Sequence, residues 1–197
     1  MQHIAPDDNM IRKLLRPETA LEENFLLDAD YYQGLLWGEP RFGHPEGRVV
    51  YHIPEILDNI DQLPIDAEMR RKLRIITYAH DTFKYIEDKS TPRDWTKHHG
   101  VYARRFLEKH ITEWDILEVT ELHDEAYYCW RLHALHHDDI TSHERIESLL
   151  WRVGDFIQLF YLFFKCDTRT GDKVQTPVKW FEHLMANKIE VMNFNRK

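Results

Sequence analysis

Glycine and proline are scarce in this chain, and their scarcity constrains the fold more than any other feature of the sequence. The 197 residues include 7 glycines and 8 prolines, and apolar residues recur between them at helical spacing. No stretch alternates apolar and polar residues over the length of a useful strand. The sequence therefore predicts an all-α fold, a compact helical bundle with helices near 8–16, 20–36, 51–62, 66–86, 93–110, 113–134, 142–166 and 177–190.

Length and composition fit one globular domain. Hydrophobic residues make up 43% of the chain and aromatic residues 13%, which is enough to bury a core without cross-links. Cys129 and Cys166 form no disulfide framework, and no apolar run approaches the ~20 residues of a membrane span. Because the N-terminal residues also lack the apolar core of an export signal, we expect a cytoplasmic protein. The net charge of −8 disfavours nonspecific binding to nucleic acid, whereas an oligomer is compatible with the sequence.

Residues 34–47, GLLWGEPRFGHPEG, interrupt the helical pattern. This segment contains four of the seven glycines and two of the prolines. Such a segment is either a plain connection between helices or a flap over a site. Its position immediately before His52 favours the flap, because histidine is the commonest protein ligand of metals.

The doublet His80-Asp81 is the least expected feature of the predicted helices. It follows an apolar stripe that includes Leu73 and Ile76, so the carboxylate would enter the protein core. Burying a polar group without a partner costs roughly 2 to 7 kcal/mol. A structural salt bridge, an exposed turn or a metal ion could each satisfy Asp81. An imidazole beside a carboxylate is a mixed ligand set that suits zinc, iron, manganese or cobalt.

Further histidines and one aspartate recur along the chain. His52 lies at the start of the helical segment YHIPEILDNI, His98 begins HHGVYARRFLEKH, and His123 lies in EVTELHDE. Asp167 ends the apolar segment VGDFIQLFYLFFKCD, where a carboxylate is unexpected because a helix C-terminus carries partial negative charge. Each residue has an ordinary explanation alone. The order His, His-Asp, His, His, Asp over successive helices is more specific than any of its members.

This order resembles that of the HD-domain superfamily of metal-dependent phosphohydrolases, over about Gly43 to Asp172. In that family a lone histidine, a His-Asp doublet and a distant aspartate bind the catalytic metal inside a helical bundle. The doublet here continues to Lys84, as in the His-Asp-x-x-Lys form of the family. HPEGRVVYH also looks like the segment that introduces the first ligand in the HD domains of bacterial tRNA nucleotidyltransferases. The resemblance implies a single HD-like domain over 1–197, with its metal-binding core at about 43–172 and a helical extension at each end.

The resemblance also implies a set of metal ligands. One divalent ion would be held by four residues: His52, His80, Asp81 and Asp167. Two-metal members of the family carry two more histidines, and His98 and His123 match them, with His99 as the adjacent competitor of His98. A second ion would then bind Asp81, His98 and His123, whereas in a one-metal site these histidines would be polar pocket residues. The expected cofactor is a pair of divalent ions, with Fe, Mn, Zn, Co, Ni and Mg all open.

The activity implied by the resemblance is hydrolysis of a phosphomonoester or phosphodiester in a small molecule, a nucleotide or a nucleic-acid end. Paired cations lower the pKa of a bound water toward neutrality, and Asp81 would have its catalytic role as their shared ligand. Two alternatives stay open. The protein could be a two-iron oxygenase, because some relatives with the same ligand pattern are oxygenases. It could also be a noncatalytic regulatory module that binds a nucleotide and cleaves nothing.

Positive side chains near the doublet are candidates for binding the substrate phosphate. Lys84 comes first, with a catalytic role as a point charge on a phosphate oxygen, and Arg48 comes second. Arg41, Lys97 and Arg169 are weaker candidates, for which a solvated surface charge is the simpler interpretation.

Overall fold

The computed structural model of this protein describes residues 6–195. The chain is 64% helical, and within the described residues the β-type pairing is limited to one isolated bridge between Arg41 and His44. The predicted all-α class is therefore confirmed. In the same part of the chain, no helix has the length and apolar character that crossing a bilayer requires.

Eleven α-helices follow one another within residues 6–195. They are α1 (Asp8–Leu15), α2 (Ala20–Phe25), α3 (Ala29–Leu35), α4 (Val49–Ile60), α5 (Ala67–Ala79), α6 (His99–Leu107), α7 (Trp114–Leu122), α8 (Glu125–His136), α9 (Asp139–Val153), α10 (Ile157–Thr168) and α11 (Thr176–Leu184). Three short 3₁₀ helices lie between them, at Lys84–Ile86, Trp95–Lys97 and Gly154–Phe156.

Several predicted helices are divided in the structure. The range predicted at 20–36 is two helices, because Asp28 starts a new one: its carboxylate accepts hydrogen bonds from the amides of Asp30 and Tyr31, as an N-cap does. The range predicted at 66–86 ends as an α-helix at Ala79, immediately before the His-Asp doublet. Apolar periodicity predicted where helices lie, and local capping decided where they end.

Helix α5 lies at the centre of the molecule and packs against α4, α6, α7 and α10. All of its residues in the range 73–79 are buried. Aromatic side chains fill the space at one end of the core, where the ring of Phe106 lies 5.1 Å from that of Phe25 and 5.2 Å from that of Tyr31. Each such buried side chain contributes roughly 1.5–3 kcal/mol. Since α5 leads into the His-Asp doublet, this packing fixes the position of the doublet.

Buried hydrogen bonds also hold α5 in place. The Tyr78 hydroxyl donates to the carbonyl of Leu15 at 2.8 Å, and the Tyr31 hydroxyl donates to the carbonyl of Tyr78 at 3.0 Å. Helix α3 passes very close to the turn that follows α5: a Cβ atom at Gly34 would lie 1.6 Å from the carbonyl oxygen of Thr82. Only a glycine permits this approach, and Thr82 directly follows Asp81.

Candidate metal centre

Five helices bring their ends or first turns to one buried point. His52 lies in the first part of α4, His80 follows α5, His99 is the first residue of α6, and His123 follows α7. Asp81 lies between them with 4% of its surface exposed, and helix α10 contributes its last turn to the same point. The structure therefore places most of the predicted ligands in one cluster.

Two of the histidines are oriented by the same local motif. The sequence Thr-x-x-His-Asp occurs at 77–81 and again at 120–124. In each copy the histidine Nδ1 lies 2.9 Å from the carbonyl oxygen of the threonine three residues earlier. A ring nitrogen next to a carbonyl oxygen must donate, so Nδ1 carries a proton in both rings and Nε2 is directed to the interior.

The other two histidines have a buried glutamate on their outer side. His52 Nδ1 lies 3.0 Å from Glu46 Oε1, and His99 Nδ1 lies 3.2 Å from Glu87 Oε1. The side chains of Glu46 and Glu87 are 6% and 3% exposed. A carboxylate behind an imidazole fixes the orientation of the ring and raises its basicity, which is the usual outer partner of a metal-binding histidine.

The four Nε2 atoms face the two oxygens of Asp81. Asp81 Oδ2 lies 3.5 Å from His80 Nε2 and 3.9 Å from His52 Nε2. Asp81 Oδ1 lies 3.4 Å from His99 Nε2 and 3.5 Å from His123 Nε2. These residues form two sets: the first is His52, His80 and Asp81, and the second is Asp81, His99 and His123. In each set the ligand atoms lie within 4.8 Å of one another, so each set could hold one ion. Asp81 belongs to both sets.

The donor atoms fit a metal ion. Among the described residues, His80 Nε2 and Asp81 Oδ1 are buried polar atoms without a hydrogen-bond partner. Leaving such atoms unsatisfied is costly, and a divalent cation between them would satisfy both. Burial lowers the pKa of His80 to about 3, so the ring is neutral and its lone pair is free to coordinate. Although burial opposes ionisation, the ammonium of Lys84 helps to hold the pKa of Asp81 well below its usual range.

The structure favours His99 over His98 for the position beside Asp81. His98 caps α6: its Nδ1 accepts a hydrogen bond from the amide of Gly100 at 3.1 Å. The other nitrogen, Nε2, lies 3.2 Å from the hydroxyl of Tyr128. Both nitrogens of His98 are thus engaged elsewhere, whereas Nε2 of His99 faces the centre. The adjacent competitor is therefore the better candidate for the second set.

Two ammonium groups lie against the acidic residues of the cluster. Lys84 Nζ donates to Asp81 Oδ2 at 2.6 Å, and Lys173 Nζ donates to Asp167 Oδ1 at 2.8 Å. Asp167 Oδ1 is also 2.9 Å from His52 Nε2, which places this predicted ligand at the edge of the first set. Lys84 therefore lies at the centre of the cluster, with Asp81 as its partner.

A cavity of about 180 Å³ opens onto the cluster. Its polar wall is formed by Asp81, Lys84, Asp124, Asp167 and Lys173, and its apolar wall includes Phe42, Tyr127 and Phe164. Phe42, Gly43 and His44 belong to the glycine-rich segment, so this segment covers the cluster, as a flap would. Arg48, the second predicted phosphate-binding residue, is not among the described residues that line this cavity. It directly precedes α4 as the N-cap residue.

Four residues of the cluster were not predicted from the sequence: Glu46, Glu87, Asp124 and Lys173. Asp124 could have been found, because it follows His123 as Asp81 follows His80 in the repeated Thr-x-x-His-Asp motif. Asp124 Oδ2 lies 3.4 Å from His99 Nε2. The two glutamates and Lys173 carry no comparable sequence signal, since they contact the cluster only through the tertiary fold.

No protein-family model, no curated protein and no solved structure matches this chain. The structure itself shows a helical fold around a buried His/Asp cluster. This cluster is compatible with a metal site of the HD type and with a metal-dependent hydrolase.

Proposed function

We propose that this protein is a single-domain, metal-dependent phosphohydrolase of the HD type, acting on a phosphomonoester or phosphodiester of a small molecule or nucleotide. One observation carries the proposal. Four imidazole Nε2 atoms converge on the two oxygens of one buried aspartate, beneath a cavity that also contains two ammonium groups. Imidazole nitrogens and a shared carboxylate suit a pair of divalent cations.

The proposed ligands fall into two groups that share Asp81. The first group is His52, His80, Asp81 and Asp167. The second group is Asp81, His99 and His123, with His99 in place of His98. When bound, divalent ions supply a water of lowered pKa and positive charge for a phosphoryl group. Glu46 and Glu87 would keep the rings of His52 and His99 in their present orientation.

The ammonium groups of the cavity would bind the substrate. An ammonium cannot coordinate a metal, but it binds a phosphate oxygen as a compact point charge. Lys84 and Lys173 line the cavity on the side of Asp81 and Asp167. Phe42 lies on the covering segment and would reduce the access of bulk water, which strengthens the attraction between these cations and a phosphate.

Metal analysis followed by a screen for phosphate-ester hydrolysis tests the proposal. We expect about one to two transition-metal ions per chain in protein purified without added metal, and either release of phosphate from a nucleotide or conversion of a cyclic nucleotide to its ring-opened monophosphate. Asp81→Asn should lose most of the metal and the activity, because its carboxylate serves both groups. Asp139→Asn is the matched control, since the Asp139 side chain is 76% exposed.

Full metal content in Asp81→Asn would contradict the metal site. A metal-loaded wild-type protein that hydrolyses neither phosphomonoesters nor phosphodiesters would contradict the hydrolase. If the iron-loaded protein consumed dioxygen instead, the metal ligands would stay the same and the oxygenase alternative would replace the hydrolase.

A further inference from the structure

A second and larger cavity adjoins the candidate metal centre. Its volume is about 520 Å³, which is within the range of about 300–1,000 Å³ that small-molecule sites occupy. It shares His44, Lys84, Asp124 and Tyr127 with the first cavity. A ligand in one cavity can therefore extend into the other.

The wall of this second cavity is strongly cationic. Among the described residues that line it are six cations, namely Arg41, Lys84, Lys89, Arg93, Arg131 and Arg145. Two carboxylates, Glu87 and Asp124, accompany them. This local excess of positive charge occurs in a chain whose net charge is −8. A cationic concavity on an acidic protein selects anionic ligands by focusing the field.

The cations of this wall differ in their partners. Arg93 pairs with Glu87, and Arg145 binds Glu125 through contacts of 2.7 and 2.8 Å. Within residues 6–195, no carboxylate oxygen lies within the 4.0 Å salt-bridge distance of the guanidinium of Arg41 or Arg131. These two groups can bind an incoming anion without first releasing an internal partner.

An aromatic ring lies where the two cavities join. Tyr127 is 38% exposed and lines both of them. The Arg131 guanidinium lies 5.9 Å from the centroid of this ring, so the arginine and the tyrosine form one surface. A planar base can stack on such a ring, as bases do on aromatic side chains in single-stranded nucleic-acid sites.

We propose that this second cavity binds a further phosphate group of the substrate, so that the substrate is a nucleotide with two separate phosphates. Arg41 and Arg131 contact the second phosphate, and Tyr127 stacks on the base. The geometry of a guanidinium favours phosphate, because its planar fork donates two parallel hydrogen bonds to two oxygens. This inference rests on the proposed function only for the identity of the phosphate that is cleaved.

Binding to metal-free protein tests the inference independently of catalysis. Isothermal titration calorimetry in EDTA would compare adenosine 3′,5′-bisphosphate with adenosine 5′-monophosphate. We expect the bisphosphate to bind at least about tenfold more tightly, the scale of charge-assisted contacts. Arg41→Gln/Arg131→Gln should abolish this preference by weakening the bisphosphate far more than the monophosphate, and each single variant should reduce the preference in part.

Arg105→Gln is the control, because Arg105 is an exposed arginine of α6 outside the residues that line the cavity. Equal affinities for the two nucleotides in wild-type protein, or a preference that survives in the double variant, would overturn the inference. Much tighter binding of a 5′-phosphorylated single-stranded oligonucleotide would also overturn it, in favour of a nucleic-acid end. If the bisphosphate preference depends on these arginines but the metal-loaded protein cleaves no phosphate ester, the hydrolase proposal fails and the anion site stands.

Discussion

At the scale of single residues, the adjacent histidines His98 and His99 have different roles in the candidate site. His98 is the N-cap residue of α6, and His99 is the first residue of that helix, with its Nε2 directed to Asp81. A capping nitrogen accepts an amide hydrogen bond and is thereby withdrawn from metal binding. The two rings are only 4.0 Å apart, yet their chemical roles differ.

Substituting the two histidines one at a time tests this division. His99→Gln should lose roughly half of the bound metal, because the second group would keep only two of its three ligands. His98→Gln should retain nearly all of the metal, since a glutamine oxygen can still accept from the amide of Gly100. Metal content per chain, measured after gel filtration, decides between them. Greater loss in His98→Gln than in His99→Gln would restore His98 as the ligand.

The sequence could not distinguish these neighbours, because His98 and His99 differ only in which of them is the N-cap. In contrast, the doublet His80-Asp81 was predictable, because an acidic residue after an apolar helical stripe needs a compensating partner. Arg41 and Arg131 lie 90 positions apart in the chain. Their meeting at one cavity depends on tertiary packing, for which the sequence pattern carries no signal.

At the scale of helices, a buried ion pair fixes α5 against α2. Arg74 Nε donates to Glu22 Oε1 at 2.8 Å and Nη2 donates to Glu22 Oε2 at 3.0 Å. Arg74 is 3% exposed and Glu22 is 2% exposed. On the same helix, Arg71 pairs with Glu68 at 2.8 Å, with side chains that are 37% and 58% exposed. The two arginines therefore form a natural comparison of a buried pair with a surface pair.

Removing one partner of the buried pair should destabilise the protein far more than removing the exposed one. Arg74→Gln leaves the Glu22 carboxylate buried without its cation, at a cost of about 3–5 kcal/mol. Arg71→Gln should change the free energy of unfolding by less than about 1 kcal/mol. Urea unfolding followed by circular dichroism measures both. Similar midpoints for the two variants would show that the Glu22–Arg74 pair does not hold α5 in place.

Helix positions were largely predictable from apolar periodicity, whereas the details that position the site were not. The Gly34 contact with Thr82 shows why: a glycine in the last turn of α3 has no helical advantage, and the close approach of the Thr82 backbone explains it. The segment 34–47 was expected to begin at this glycine, but Gly34 belongs to α3 and the connection starts after Leu35.

At the scale of the whole molecule, the proposed ligands come from segments that are far apart in the chain, between His52 and Asp167. An ion held by α4, the end of α5, α6, α7 and α10 would connect most of the bundle. Because the unfolded chain does not bring these side chains together, metal would bind the folded state in preference to the unfolded one. Metal binding should then contribute to the stability of the entire fold and not only to the local geometry.

Removing metal should therefore lower the melting temperature. A ligand at a hundredfold excess over its Kd stabilises the folded state by about 2.7 kcal/mol, which for a domain of this size raises Tm by roughly 5–10 °C. Differential scanning calorimetry with and without EDTA measures this shift. Asp81→Asn should have the same Tm in both conditions, because it lacks the ligand that both groups share, and Asp139→Asn should respond like the wild type. A wild-type Tm that ignores EDTA and added divalent metal would exclude an ion that connects these helices, and an undiminished response in Asp81→Asn would place the stabilising ion elsewhere.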